Sequence, residues 1–420
     1  MKYLLKNATI LDPGNKWHRK QKDILIGKGQ ILKISDSISD KDAKLISSKN
    51  LCVSQGWIDA CADFSEPGNE HKEDLKSGLE AAKRGGFTAV SLATNTSPSV
   101  DSKAQIEFLL SKSENTHVDI LPKGSISAAN KGEQLSEMFD MEQAGAKAFS
   151  DSAPIENSEL LKLALLYSKN LKSKIIDHPM DSSLAKGGQI NEGAISTSLG
   201  IKGIPDVSEL LRVNRNLEIA NYCESELHFE LVSNPEALAK IKKASKALKH
   251  SVSVPLANLV WSDDVLVDFD TNFKVMPPLR TKSSVKKLRK MVLDGDANII
   301  ASNHKAQDVE SKRCEFDYAE FGMASLEVFI QLLNQAFGDQ MTSDEIISAI
   351  TLGPRELFGI EQTPIEEGQN LNLSLFDPSL DADLDEMKFA SKAVNYPLSS
   401  IEGKGKIIGS FNGKSSYLAS

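Results

Sequence analysis

Hydrophobic and polar positions change their rhythm twice along this chain. Residues 1 to about 52 read as short strands separated by turns. Leu4-Leu5-Lys6-Asn7-Ala8-Thr9-Ile10-Leu11 runs into Asp12-Pro13-Gly14, and Asp23–Ile26 and Gln30–Ile34 flank Gly27-Lys28-Gly29, a hairpin signal. The tail returns to the same texture in Leu371–Pro378 and Gly405–Gly413. Between them, from about 53 to 361, short β-branched runs alternate with amphipathic helical stretches. Strands are predicted to end near Asp59, Ala93, Lys123, Ser150, Asp177, Val232, Val254 and Ser302. Helices are predicted over Glu70–Arg84, Asn157–Lys169, Asp206–Cys223 and Ser283–Leu293.

Eight strand–helix alternations predict an α/β protein with a (β/α)8 barrel over residues 53–361, whose chemistry belongs where strands run into βα loops. The two β-rich ends, 1–52 and 362–420, predict one small β-sandwich domain shared by both termini. A doubly wound open sheet is the rival, disfavoured because no Gly-x-Gly-x-x-Gly follows the first strand. Gly413-Lys414-Ser415 imitates the end of a phosphate loop, but Ile408 stands where that loop needs glycine.

At 420 residues the chain has room for one large and one small domain. A net charge of −9 argues against nucleic-acid or anionic-membrane partners. No run approaches the roughly 18 apolar residues of a membrane span, and the N-terminus is too short and polar for a signal peptide. The four cysteines, Cys52, Cys61, Cys223 and Cys314, form no Cys-x-x-Cys pair. Reduced thiols and a cytoplasmic location are therefore expected.

Several blocks resemble the dihydroorotases of the amidohydrolase superfamily: Glu66–Asp74, Ala82–Val90 with Thr94-Asn95-Thr96-Ser97-Pro98, Asn191–Ser196 with Leu199–Pro205, and Lys274–Arg280 with its Pro-Pro-Leu-Arg. The resemblance spans nearly the whole length. It implies a barrel in which one or two zinc ions polarise the amide of dihydroorotate and lower the pKa of a bound water. An aspartate after the eighth strand would shuttle the proton.

Carried over position by position, those roles meet altered residues. The first-strand His-x-His, two imidazoles on one face of the strand, falls on Cys61 and Asp63, and the carboxylate-clamping arginine on Ser65. Asn95 matches the substrate asparagine, Asp151 the aspartate that replaces a bridging carbamylated lysine in one branch, and His178 the strand-five histidine. The strand-six histidine, three residues after His228, falls on Leu231. A His-His pair after strand seven falls on Ala257 and Asn258. The strand-eight aspartate falls on Asn303, followed by His304, and a further substrate histidine on Gln307.

Asn303 has no useful pKa, and a serine does not replace a bidentate guanidinium. The expectation is a catalytically inactive homologue without a resident metal. It would serve as a structural or regulatory partner, of aspartate transcarbamoylase or of a second copy of itself, because the resemblance extends to inactive members associated with that enzyme. The alternative is an active cyclic-amide hydrolase using zinc on Cys61, Asp63, Asp151 and His178, all able to ligate. The plainer reading makes Asp63 and Asp151 hydrogen-bonded loop carboxylates, Cys61 a small filler, and His178 and His304 packed barrel histidines. Small-molecule sensing through Asn95 is a further option. A Cys61 thiolate–imidazole pair with His178 or His304 has no support in spacing.

Overall fold

A computed structural model describes residues 1–419 of the chain. Its centre is a ring of eight parallel strands: Trp57–Asp63, Phe87–Leu92, Asp119–Gly124 interrupted at Pro122, Ala148–Phe149, Lys174–Asp177, His228–Phe229, Ser251–Pro255 and Ile299–Ala301. Two strands close the ring because each is split. In the third, Asp119–Leu121 pairs with the second strand while Lys123–Gly124 pairs with the fourth. In the eighth, Ile299–Ala301 pairs with the seventh while His304–Lys305, just beyond it, pairs with the first. The expected α/β barrel is thus formed as a curled parallel sheet.

The strands are largely buried, as a sheet covered on one face by helices and filled on the other requires. Helix starts follow local capping chemistry. Asp74 and Ser77 form a reciprocal capping box, so this helix runs Leu75–Arg84 rather than from Glu70. Asn157 caps Ser158–Ser168, Thr281 caps Lys282–Leu293, and Asp206–Cys223 is as predicted.

The two ends of the chain build one eight-stranded sheet. Its order places Asn372–Asp381 between Lys404–Asn412 and Cys52–Gln55, with Lys2–Leu11 next and the hairpin strands Gln21–Gly27 and Gln30–Ser35 at the edge. The hairpin turns at Lys28 and Gly29, φ 57° and 80°, the left-handed pair a tight two-residue connection needs. Trp57 joins the two units: fully buried at the start of the first barrel strand, its ring meets Phe87 and Phe329 at 6.1 Å and Phe376 of the terminal sheet at 5.1 Å. No helix among the described residues is long and apolar enough to cross a membrane.

Two strand ends differ from the sequence expectation. The first strand continues past Asp59 to Asp63, so Cys61 and Asp63, expected on one face of that strand, lie within it. The sixth ends at Phe229, before Val232, because Leu231 adopts φ 58° and turns the chain out of the sheet.

Candidate functional site

The carboxyl ends of the strands surround a small cavity of about 160 Å³, lined by Cys61, Asp63, Asn95, His178, Glu230, Leu231, Met276, Asn303 and His304 among others. Seven of the positions singled out in sequence, Cys61, Asp63, Asn95, His178, Leu231, Asn303 and His304, therefore line one mouth, and the geometry shows what each does there.

Cys61 and Asp63 lie on one face of the first strand. Burial, followed by the Glu230 carboxylate, pushes the Cys61 thiol well above its usual pKa, so the thiolate that binds metal is disfavoured. Asp63 Oδ1 accepts from the Ser65 amide at 2.9 Å and hydroxyl at 3.3 Å, while Oδ2 lies 3.5 Å from Lys305 Nζ. Ser65 thus completes a local turn. Asp151 is fully engaged by the third-strand loop: Oδ1 accepts from the amides of Ile126 and Ser127, both at 2.8 Å, and Oδ2 from the Ser127 hydroxyl at 2.6 Å.

Asn303, at φ 50°, donates its amide to the Met276 carbonyl at 3.0 Å. His304, also in the cavity lining, is held by its neighbours. Its Nδ1 accepts from the Ser325 amide at 3.1 Å, and Nε2 lies 3.7 Å from the fully buried Glu73 carboxylate. Gln307 donates to the Phe321 carbonyl at 2.8 Å and its backbone amide reaches Asn395 at 2.9 Å, which pins the loop beyond the eighth strand. Asn258 donates to the Pro278 carbonyl at 2.7 Å, and Ala257 is buried beside it. Asn95 is solvent-exposed at the rim. His178 is the imidazole that lines the cavity with no ring hydrogen bond to any described residue; burial lowers its pKa and keeps it neutral.

Two groups that the sequence reading missed dominate the electrostatics. Lys123, at the end of the third strand, places Nζ 2.8 Å from Glu230 Oε1, with side chains 0% and 4% exposed. Burial opposes charge on both. Their mutual attraction outweighs it, raising the Lys123 pKa and lowering that of Glu230, so the pair is ionised. The signal was available: each is a lone charge in an otherwise apolar run, Ile120-Leu121-Pro122-Lys123 and Phe229-Glu230-Leu231-Val232, and the signs are opposite.

Beneath this layer, two of the distinctive sequence blocks meet. Arg280 donates to Asn191 Oδ1 at 2.9 Å, Asp206 at 2.7 Å, Ser233 Oγ at 2.9 Å and Glu209 at 3.0 Å. Its role is to knit the fifth, sixth and seventh loop regions together.

Zinc does not fit this donor set. Asp151 is saturated, Asp63 serves Ser65, the Cys61 thiol is protonated and Lys123 adds a fixed positive charge. Among the described residues no three His, Cys, Asp or Glu side chains form a group able to hold a metal ion.

Comparison with known proteins locates the chain. A family model described as dihydro-orotase-like matches residues 51–237. The dihydroorotase of Pelotomaculum thermopropionicum is 34% identical over 401 residues, covering 94% of each chain. That of Syntrophotalea carbinolica is 33% identical over 413 residues, covering 97% of each. Among solved structures, L-hydantoinase (dihydropyrimidinase) from Arthrobacter aurescens superposes with a TM-score of 0.85 at 19% identity, covering 99% of this chain and 95% of its own. Dihydropyrimidinase from Brevibacillus agri gives 0.80 at 19% identity, again over 99% and 95%. At that identity the structural likeness establishes the fold.

Proposed function

Because this chain belongs to the dihydroorotase family of the amidohydrolase superfamily, we propose that it is a dihydroorotase-like protein of pyrimidine biosynthesis that does not itself turn over the cyclic amide. Its role is that of a structural or regulatory partner, with aspartate transcarbamoylase or a second copy of the chain as the partner. The observation that carries this reading is Asn303. It occupies the position of the proton shuttle, offers no titratable group, and spends its amide on the Met276 carbonyl. A general base supplies ~10²–10⁴-fold in rate, and this loss adds to that of the groups that would polarise the amide.

The chemistry needed for ring hydrolysis divides into activating a water, polarising the carbonyl and holding the substrate carboxylate. Asp151 is engaged with Ser127, Cys61 is a thiol, and Ser65 closes a turn on Asp63. The framework around them is ordered: Asp59 and Ser302 bond across the barrel seam, Asp74 caps its helix and Arg280 makes four side-chain hydrogen bonds. An intact frame around an unequipped mouth supports retention for binding rather than catalysis. Location in the cytoplasm is part of the same proposal.

The test is dihydroorotase activity of the purified protein in both directions, with and without added zinc, followed by sedimentation of the chain alone and mixed with aspartate transcarbamoylase from the same cells. No turnover together with a co-sedimenting complex or a homodimer is expected. Turnover lost on Asp151→Ala, or a lone monomer that ignores the transcarbamoylase, rejects the reading.

A further inference from the structure

We propose that the Lys123 ammonium is the resident cation of the barrel mouth: by pairing with Glu230 across the interior it fills the electrostatic role of a metal ion and closes the site to divalent metals.

Three observations carry this. First, the pair spans the barrel. Lys123 ends the third strand and Glu230 follows the sixth, with the fourth and fifth strands between them in the sheet order. A bond of 2.8 Å between side chains so placed must run through the interior rather than along the wall. Second, the pair lies among the remaining metal-compatible groups. Glu230 lines the cavity beside Cys61 and His178, and both of these feel the charges of Lys123 and Glu230. Third, the pair is balanced. One ammonium and one carboxylate, both out of solvent, neutralise each other, so Glu230 has no net charge left to offer a second cation. A divalent ion brought beside the ammonium would be repelled by it at short range in a poorly screened site.

The physical logic is substitution. An amidohydrolase mouth is a convergence of donors that needs a positive charge at its centre. Here a covalently tethered cation supplies that charge, needs no loading and cannot dissociate. It is also not a Lewis acid: an ammonium donates hydrogen bonds but leaves no open coordination position for water.

The experiment compares zinc content after dialysis against a slight molar excess of zinc, and the thermal midpoint with and without zinc, for the wild type, Lys123→Met and Lys123→Met/Glu230→Leu. The wild type is expected to retain only substoichiometric zinc and to show no zinc-dependent midpoint. Lys123→Met exposes Glu230 as an unpaired buried carboxylate. With Glu230 no longer held by Lys123 Nζ and free to turn toward His178 and Cys61, a grouping the wild-type arrangement does not form, this variant is expected to melt lower without zinc, to take up about one ion per chain, and to regain its midpoint when loaded. The double variant removes both charges and is expected to melt near the wild type without zinc uptake. Should Lys123→Met not accumulate as folded protein, Lys123→Gln carries the same comparison, since it removes the charge, keeps a hydrogen-bond donor to Glu230 and adds no zinc ligand. Equal zinc uptake by wild type and single variant, whether both bind or neither does, overturns the proposal. Metal content and turnover fail separately: an inactive wild type that binds zinc stoichiometrically defeats this proposal and leaves the partner role standing.

Discussion

The Asp59 carboxylate accepts two hydrogen bonds from Ser302, at 2.7 Å from its amide and 2.6 Å from its hydroxyl, across the seam between the first and eighth barrel strands. The seam has little ladder of its own, since the eighth strand reaches the first only through His304–Lys305. One buried carboxylate therefore adds two hydrogen bonds where the ladder is short. Ser302→Ala leaves half of a fully buried acceptor unsatisfied and is expected to cost ~1–3 kcal/mol, read from urea unfolding. A change within the error of the wild-type midpoint would show that the seam is held elsewhere.

His228 makes the fold sensitive to acid. It is 1% exposed, bonded through Nδ1 to the Ser251 hydroxyl at 2.8 Å and through Nε2 to the Ser253 hydroxyl at 3.3 Å. Burial pushes its pKa from 6.5 down to about 3. Between those values the unfolded chain binds a proton that the folded chain refuses, so stability from this group is present above pH 6.5 and lost as pH falls towards 3. The slope is at most ~1.4 kcal/mol per pH unit. Asp59, pushed up to about 6 by burial, acts in the opposite sense: its contribution falls as pH rises from 3.8 to about 6. His228→Gln isolates the histidine. Denaturant titrations at pH 7, 5 and 4 should show the wild type losing ground against the variant as pH falls, and parallel curves would reject the assignment.

Asp151 is expected to behave as a scaffold residue. Asp151→Ala strands the Ile126 and Ser127 amides and the Ser127 hydroxyl, and should lower stability by about 3 kcal/mol. Metal content should not change, which distinguishes this role from ligation. Calorimetry and elemental analysis of the same sample settle it.

Restoring a single group should not restore chemistry. Asn303→Asp returns a carboxylate to the end of the eighth strand but brings no means of polarising an amide carbonyl. No turnover is expected in either direction. Measurable hydrolysis by this one substitution would mean that only the base was missing and would reject the non-catalytic reading.

Much of the architecture was legible because its causes are local. Buried strands announce themselves as β-branched runs, and helix starts as Asn157 or Thr281 ahead of an amphipathic stretch. Where the reading slipped, a local signal was ambiguous. The first strand looks finished near Asp59, yet it runs on to Asp63 because the split eighth strand returns to it, pairing Lys305 with Asp63. His228 to Val232 looks like a continuous strand, and nothing in its composition announces the left-handed Leu231. The altered residues of the mouth were found one at a time, whereas the Lys123–Glu230 pair was not. Its members are 107 positions apart on strands that do not touch, and only closure of the ring brings them together.

Four non-glycine residues at strand exits around the mouth, Ser65, Ser152, Leu231 and Asn303, hold φ of 59°, 52°, 58° and 50°. Such conformations are disfavoured for side-chain-bearing residues, most of all for a bulky one such as Leu231. The loops therefore aim their residues from a fixed set of angles, whatever those residues are. A single substitution changes what a position here presents to the cavity, while undoing the turn beneath it would take the concerted relaxation of an entire loop.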